Sequence, residues 1–306
     1  MRGFEPPTPW SQTRCATRLR YTPKIASFYR IKLKVPLNLL TNGTTQLLVF
    51  KKDNYKVVFV LCVMTIFLII FGTIAGAVGG FFGVGGGMTL IPMLVLVGID
   101  IKTAISISIL QMVFTSIFGS FFNYKKNNTV LKDGFILGLG GFSGGVFSFV
   151  SLTYISDSVL KYLFLTVVSF AIYRISKTTY DKPTIKKTHN MFLLYVVGFF
   201  VGLFAMSIGV GGSVLLIPIL TSYMYYNFKD ASSLGLFFVI FSSTAGFLSL
   251  SFAGLMNYEY GLIVAISSVL GVYIGINLKN KTNTKNYKSL ILALYIVVFV
   301  SMIFKL

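Results

Sequence analysis

The sequence predicts an all-α polytopic membrane protein: two tandem repeats of about five helical segments each, with a glycine-broken helix in each repeat. Three observations carry that prediction. The 306 residues are 55% hydrophobic and only 11% charged, whereas about a quarter of a soluble domain is charged. Apolar runs of spanning length follow one another, without the short alternating segments of a β-barrel. A glycine cluster also occurs twice, as GVGGG at Gly83–Gly87 and GVGGS at Gly209–Ser213, each followed by a proline, Pro92 and Pro218.

Residues 1–56 stand apart from the rest. Their first stretch, MRGFEPPTPWSQTRCATRLRYTP, is rich in proline and arginine, lacks helical or strand periodicity, and has no apolar core of a signal peptide. Five of the six arginines precede residue 31. The phrase GFEPPTPWSQTRCATRLRYTP resembles the spurious peptide of a conceptually translated transfer-RNA gene. The expectation is a non-native extension from a misplaced start, with the native start at Met64. The alternative is a disordered basic extension touching anionic lipid.

From Val57 the segments come in order. Val57–Gly80 is the first apolar run and ends at the first glycine cluster. Glycine costs roughly 1 kcal/mol against alanine inside a helix, so three in a row interrupt it. A short helix at Met88–Gly98 follows, then Thr103–Asn123, Gly134–Tyr154 and Val159–Tyr173. The first repeat is thus 57–175, and a basic polar linker occupies 176–190. The second repeat, 191–306, reads Met191–Ile208, the second cluster, Val214–Tyr225, Ala231–Ala253, Gly261–Leu278 and Ser289–Phe304, with a basic segment Lys279–Lys288 before the last. Pro92 and Pro218 suit first-turn or kink positions.

The halves align in one register. Gly85 maps to Gly211 and Leu90-Ile91-Pro92 to Leu216-Ile217-Pro218 at an offset of 126; Ala104 to Ala231, Ser116 to Ser243 and Gly144 to Gly271 at 127. Such repeats are characteristic of transporters. Their handedness follows weakly from the basic loops. A five-plus-five inverted arrangement with an external N-terminus puts thirteen Lys/Arg inside against three outside, after residue 63; a parallel one gives nine against seven. Positive-inside bias favours the inverted repeat. The first post-glycine helix, about 16 Å long, crosses only half of a core of about 30 Å.

The net charge of +19 does not indicate nucleic acid, because the lysines cluster in loops between spans. One His and two distant Cys offer no transition-metal site. The six acids after residue 56 all lie at segment ends or in loops, and no span carries a midplane Lys or Arg. Neither a carboxylate relay nor intramembrane hydrolase chemistry has its parts, so no catalytic residue and no cofactor is expected.

What remains is backbone. Helices starting after the glycines present free N–H groups and a positive dipole end in a low dielectric, which suits small anions. The candidate substrate-binding residues are Gly85, Gly86, Gly87, Gln111, Thr115 and Ser116 in the first half, with Gly211, Gly212, Ser213 and Ser243 in the second. Gln111 is the sharpest of them, because a buried amide needs a partner. Helix packing is the plainer role of membrane glycines, and span Ser and Thr commonly bond their own helix backbone.

At GFFGVGGGMTLIPML and its echo GLFAMSIGVGGSVLLIPIL the chain resembles the TauE/SafE family of sulfite exporters, over about residues 65–306. The resemblance implies a plasma-membrane, multi-pass carrier for a small inorganic or organosulfur anion such as sulfite, with a proton as the coupling ion and a homo-oligomer among the assembly options. Ser213 replaces Gly87 in the second half, so the two breaks need not bind equally. The expected function is a secondary transporter working by alternating access between the two breaks. The alternative is a non-transporting scaffold in which the glycines only tighten packing.

Overall fold

The structure, a computed structural model, describes residues 43–124, 131–177, 190–224, 226–282 and 284–304. Most of the 1–56 extension, the loop bearing Lys125 and Lys126, the body of the lysine-rich linker with His189, and Lys305 lie outside these residues. The chain divides into two units, 1–56 and 57–306, and the second carries both glycine clusters.

All regular structure among the described residues is helical. The first half holds α1 (Gly43–Phe82, with its apolar part at Cys62–Phe82), α2 (Gly87–Leu96), α3 (Ile101–Tyr124), α4 (Leu131–Gly145), α5 (Ser148–Tyr154) and α6 (Asp157–Lys177). The second holds α7 (Met191–Ser207), α8 (Ser213–Tyr223), α9 (Phe228–Phe252), α10 (Tyr258–Lys281) and α11 (Thr284–Ile303). Among the described residues six segments are long and apolar enough to cross a membrane, one of them, Asp133–Tyr154, made by α4 and α5 in succession, and α2, α7, α8 and most of α11 form shorter apolar helices. The protein is a multi-pass membrane protein.

Local chemistry sets the helix starts. Asp100 Oδ2 accepts from Thr103 N at 2.9 Å ahead of α3, and Asn190 Oδ1 from Phe192 N at 3.1 Å ahead of α7. Asn227 Oδ1 accepts from Asp230 N at 2.7 Å ahead of α9, and Asn257 Oδ1 from Tyr260 N at 3.1 Å ahead of α10. Each side chain satisfies a backbone donor that the first helical turn leaves unpaired. One boundary in the first half differs from the sequence expectation, and the prolines take the interior of the two positions expected for them. The run Gly134–Tyr154 is two helices, interrupted at Val146–Phe147 after Gly144-Gly145. Pro92 and Pro218 are each the sixth residue of their helix, beyond the first turn, where each withholds an N–H from the ladder.

Small residues fix how the helices pack. A Cβ on Gly76 would collide with Ser268 O, and one on Gly271 with Thr73 O, so α1 and α10 meet backbone to backbone. Gly72 meets Val264 and Gly80 meets Val272, which makes α1 and α10 run the same way. In α3, Leu110 meets Gly261 and Gly119 meets Val272, so α3 runs with them. Gly198 against Leu137 and Gly202 against Gly141 align α7 with α4; Gly134 against Leu234 and Gly145 against Ser242 align α9 with α4. Across the seam the sense reverses: Gly119 meets Leu236 while Gly246 meets Ile109, so α3 and α9 are antiparallel. The short α2 and α8 sit inside these layers. Their residues are buried from Gly87 through Pro92 and from Ser213 through Pro218, so protein rather than lipid surrounds their first turns.

Candidate functional site

The two glycine segments meet each other. A Cβ on Gly87 would lie 2.5 Å from Gly209 O, and one on Gly211 2.7 Å from Val84 O. Met112, midway along α3, touches Gly85, Gly87 and Gly211 together. Gly85 (φ +75°) and Gly86 (φ +84°) are left-handed, a conformation that costs other residues roughly 1–2 kcal/mol. The segment from Gly83 to Gly86 therefore turns the chain from α1 into α2 within four residues.

Donors and acceptors fare differently in these turns. Several carbonyls have partners: Thr115 Oγ1 donates to Gly85 O at 2.8 Å, Ser108 Oγ to Gly209 O at 2.9 Å, and Leu90 N to Gly86 O at 3.0 Å, while Gly83 O and Val84 O accept from nothing among the described residues. The N–H groups do not. From Val84 to Met88, five successive backbone N–H groups donate to nothing among the described residues, and all five residues are buried. In the second segment the comparable run is Gly211–Ser213, because Gly209 N and Val210 N bond back to Met206 O and Ala205 O. Buried N–H groups rarely stay unpaired. Five free N–H groups against two free carbonyls, those of Gly83 and Val84, leave donors in excess, which favours a negative ligand.

Side chains sharpen the asymmetry. Gln111 is 0% exposed, and neither its Nε2 nor its Oε1 has a hydrogen-bond partner. Its amide faces the first turn, where a Cβ on Gly86 would collide with Gln111 Nε2. The residue 127 positions later is Phe238, whose ring stands so close to Gly212 that a Cβ there would collide with Cε1. An amide at one turn is thus matched by an apolar ring at the other. Ser213 Oγ is buried and unpartnered at the start of α8.

The structure therefore brings Gly85, Gly86, Gly87, Gln111 and Thr115 together around the first turn, with Gly211 against Val84. Ser116 and Ser243 use their hydroxyls on their own helices, donating to Val113 O at 3.2 Å and Val239 O at 2.5 Å.

One group escaped the sequence reading. The basic segment after Leu278 was expected between spans, yet α10 continues to Lys281 and buries Lys279 to 3% exposure. Its Nζ donates to Ser232 Oγ at 2.9 Å and Ser233 Oγ at 3.3 Å, and Ser232 packs on Gly83 at the first turn. Tyr287 O–H donates to Phe81 O at 2.7 Å and lies 3.0 Å from Ser232 Oγ. A lysine in a basic run reads as solvated; only the α9–α10 contact reveals otherwise.

The model of the family described as Sulfite exporter TauE/SafE matches residues 68–302, which include both glycine turns, Gln111, Thr115 and the Lys279 cluster. The chain belongs to the TauE/SafE family. Curated relatives match this chain over most of their own length. The chain is 29% identical over 241 residues to the probable membrane transporter protein MJ0441 of Methanocaldococcus jannaschii, covering 72% of this chain and 88% of that one. It is 25% identical over 250 residues to the probable membrane transporter protein YunE of Bacillus subtilis, covering 72% and 90%. No solved structure matches. The protein is a TauE/SafE membrane transporter.

Proposed function

We propose that this transporter moves a small anion, sulfite or an organosulfur acid, and holds it at the first glycine turn. The observation that carries this reading is the run of five unpaired buried N–H groups, Val84–Met88, faced by the unpartnered amide of Gln111. Around the turn the carbonyls of Gly85 and Gly86 are occupied and only those of Gly83 and Val84 are free, so the local excess is of donors. Gly86 and Gly87 let the ion reach the backbone, Thr115 ties down the Gly85 carbonyl, and the start of α2 adds its partial positive charge.

Alternating access is the proposed mechanism, with the two halves as an inverted repeat. The support lies in repeated contacts. Gly72 and Gly76 of α1 meet Val264 and Ser268, and the residues 126 later, Gly198 and Gly202 of α7, meet Leu137 and Gly141, each 127 earlier than its counterpart. Because α1 runs with α3, α7 with α9, and α3 against α9, the two halves oppose each other across the seam. Inverted halves can exchange conformations around a fixed central site. On this reading the ends bearing Asp133, Arg174, Lys229 and Lys279 share one face, which positive-inside bias makes cytoplasmic.

Uptake of radiolabelled sulfite into proteoliposomes, with and without an imposed proton gradient, tests the proposal. Saturable, gradient-dependent flux that sulfate or taurine competes away is the expected result. Flux absent from wild type, or linear in concentration, contradicts it.

A further inference from the structure

Lys279 is a buried ammonium without a counter-ion. Among the described residues no carboxylate lies within 4.0 Å of its Nζ, and its described acceptors are the Ser232 and Ser233 hydroxyls. Two acceptors for three N–H groups leave one donor over. Lys229, of like sign, and Asp230 both act on it electrostatically. Lys229 Nζ donates to Thr282 O at 2.9 Å, and Asp230 Oδ2 accepts from Asn227 Nδ2 at 2.8 Å. Taking an ammonium out of water is expensive unless an opposite charge joins it. The negative end of α10 offsets a part of that cost; neutral hydroxyls add little charge.

Nor does the repeated framework require the group. The positions 127 residues before Ser232, Lys279 and Tyr287 are Ile105, Leu152 and Leu160, all apolar and buried. The first half buries apolar side chains at the corresponding positions. The cluster also touches the proposed path: Ser232 packs on Gly83, three residues before Gly86 meets Gln111.

Ser233 Oγ donates its proton to Lys229 O at 2.9 Å, which leaves the Ser232 hydroxyl and the ammonium as the donors here. We propose that Lys279, with the Ser232 hydroxyl, is a second oxyanion-binding site, from which a small oxyanion passes to the donors of Val84–Met88. It rests on the proposal that the protein transports an anion. The site then lies on the cytoplasmic side of the turn and loads the ion for export. The ammonium supplies the charge that the backbone site lacks, Ser233 orients it by accepting one of its N–H groups, and Tyr287 holds Ser232 and the Phe81 carbonyl in register.

The test uses the full chain in nanodiscs, with its unfolding midpoint followed while sodium sulfite, and separately sodium sulfate, is titrated in. Wild type should be stabilised saturably, and Gln111→Leu should retain an anion-dependent shift. Lys279→Met should raise the half-stabilising concentration by about tenfold or more, the effect of losing one charge-assisted contact. Lys279→Arg should recover part of it. Equal titrations in wild type and Lys279→Met, or no stabilisation in either, overturn the site. Should Lys279→Met fail to fold, Ser232→Ala keeps the ammonium and must raise the half-stabilising concentration; an unchanged value overturns it equally. Sulfite flux in vesicles of the same preparation reads the transport proposal separately, because the titration reports binding whether or not the ion moves.

Discussion

Replacing Gln111 with leucine should move stability and function in opposite directions. Gln111 is fully buried, and neither polar atom of its amide has a partner. An unsatisfied buried polar group costs about 1–3 kcal/mol. Leucine has a similar volume and no polar atoms, so Gln111→Leu should stabilise the anion-free protein by at least about 1 kcal/mol. The same change removes a donor from the site. A hydrogen bond to a charged ligand contributes about 1.5–3 kcal/mol, so the half-saturating sulfite concentration for flux should rise roughly 10- to 150-fold. Gln111→Glu, which preserves shape and adds a negative charge, should abolish saturable flux. The assays are thermal unfolding without anion and initial-rate uptake in proteoliposomes. A Gln111→Leu protein that is less stable than wild type and transports with unchanged half-saturation would show that the amide is a packing group and no ligand.

The same geometry predicts three further outcomes. Gly86→Ala combines a left-handed φ of +84° with a Cβ 2.7 Å from Ala75 O, so strain and overpacking should cost about 2–5 kcal/mol; Gly98→Ala, with φ +98° and nothing within 4 Å, should cost only about 1–2 kcal/mol in the same unfolding assay. Phe238→Ala should destabilise by about 3–5 kcal/mol through the cavity it leaves while the half-saturation of flux stays at the wild-type value, since Phe238 faces the second turn. Tyr226 lies between α8 and α9, and its O–H donates to Asp133 Oδ2 at 2.6 Å. Burial first, then that carboxylate, pushes its ionisation above the ordinary tyrosine range. A raised folded pKa means that its contribution is whole below about pH 10 and is lost as pH climbs past it; unfolding measured from pH 8 to 11 should therefore show a shallower alkaline decline in Tyr226→Phe.

Much of this was legible in the residues, for identifiable reasons. Hydrophobic runs gave the long helices because a membrane span must pair its own backbone, and glycine runs marked where α1 and α7 stop because each turn needs positive φ. Gln111 stood out because an amide in an apolar helix has few ways to be satisfied. The gap between α4 and α5 was hidden: Val146 and Phe147 carry no turn signal, and tertiary contact decides there. Lys279 was hidden for a related reason. Its neighbours in sequence are polar, and its partners Ser232 and Ser233 come from a helix 46 and 47 positions away. The contrast between Gln111 and Phe238 needed the two halves superimposed in space before its consequence for the two turns was visible.

A density map of the full chain in nanodiscs with saturating sulfite bears most directly on where the ion sits. Density for one anion should lie within hydrogen-bond distance of backbone N–H groups between Val84 and Met88 and of Gln111 Nε2, with the Phe238 side of the second turn empty. An anion bound against Gly211–Ser213 while the first turn stands vacant would contradict that assignment.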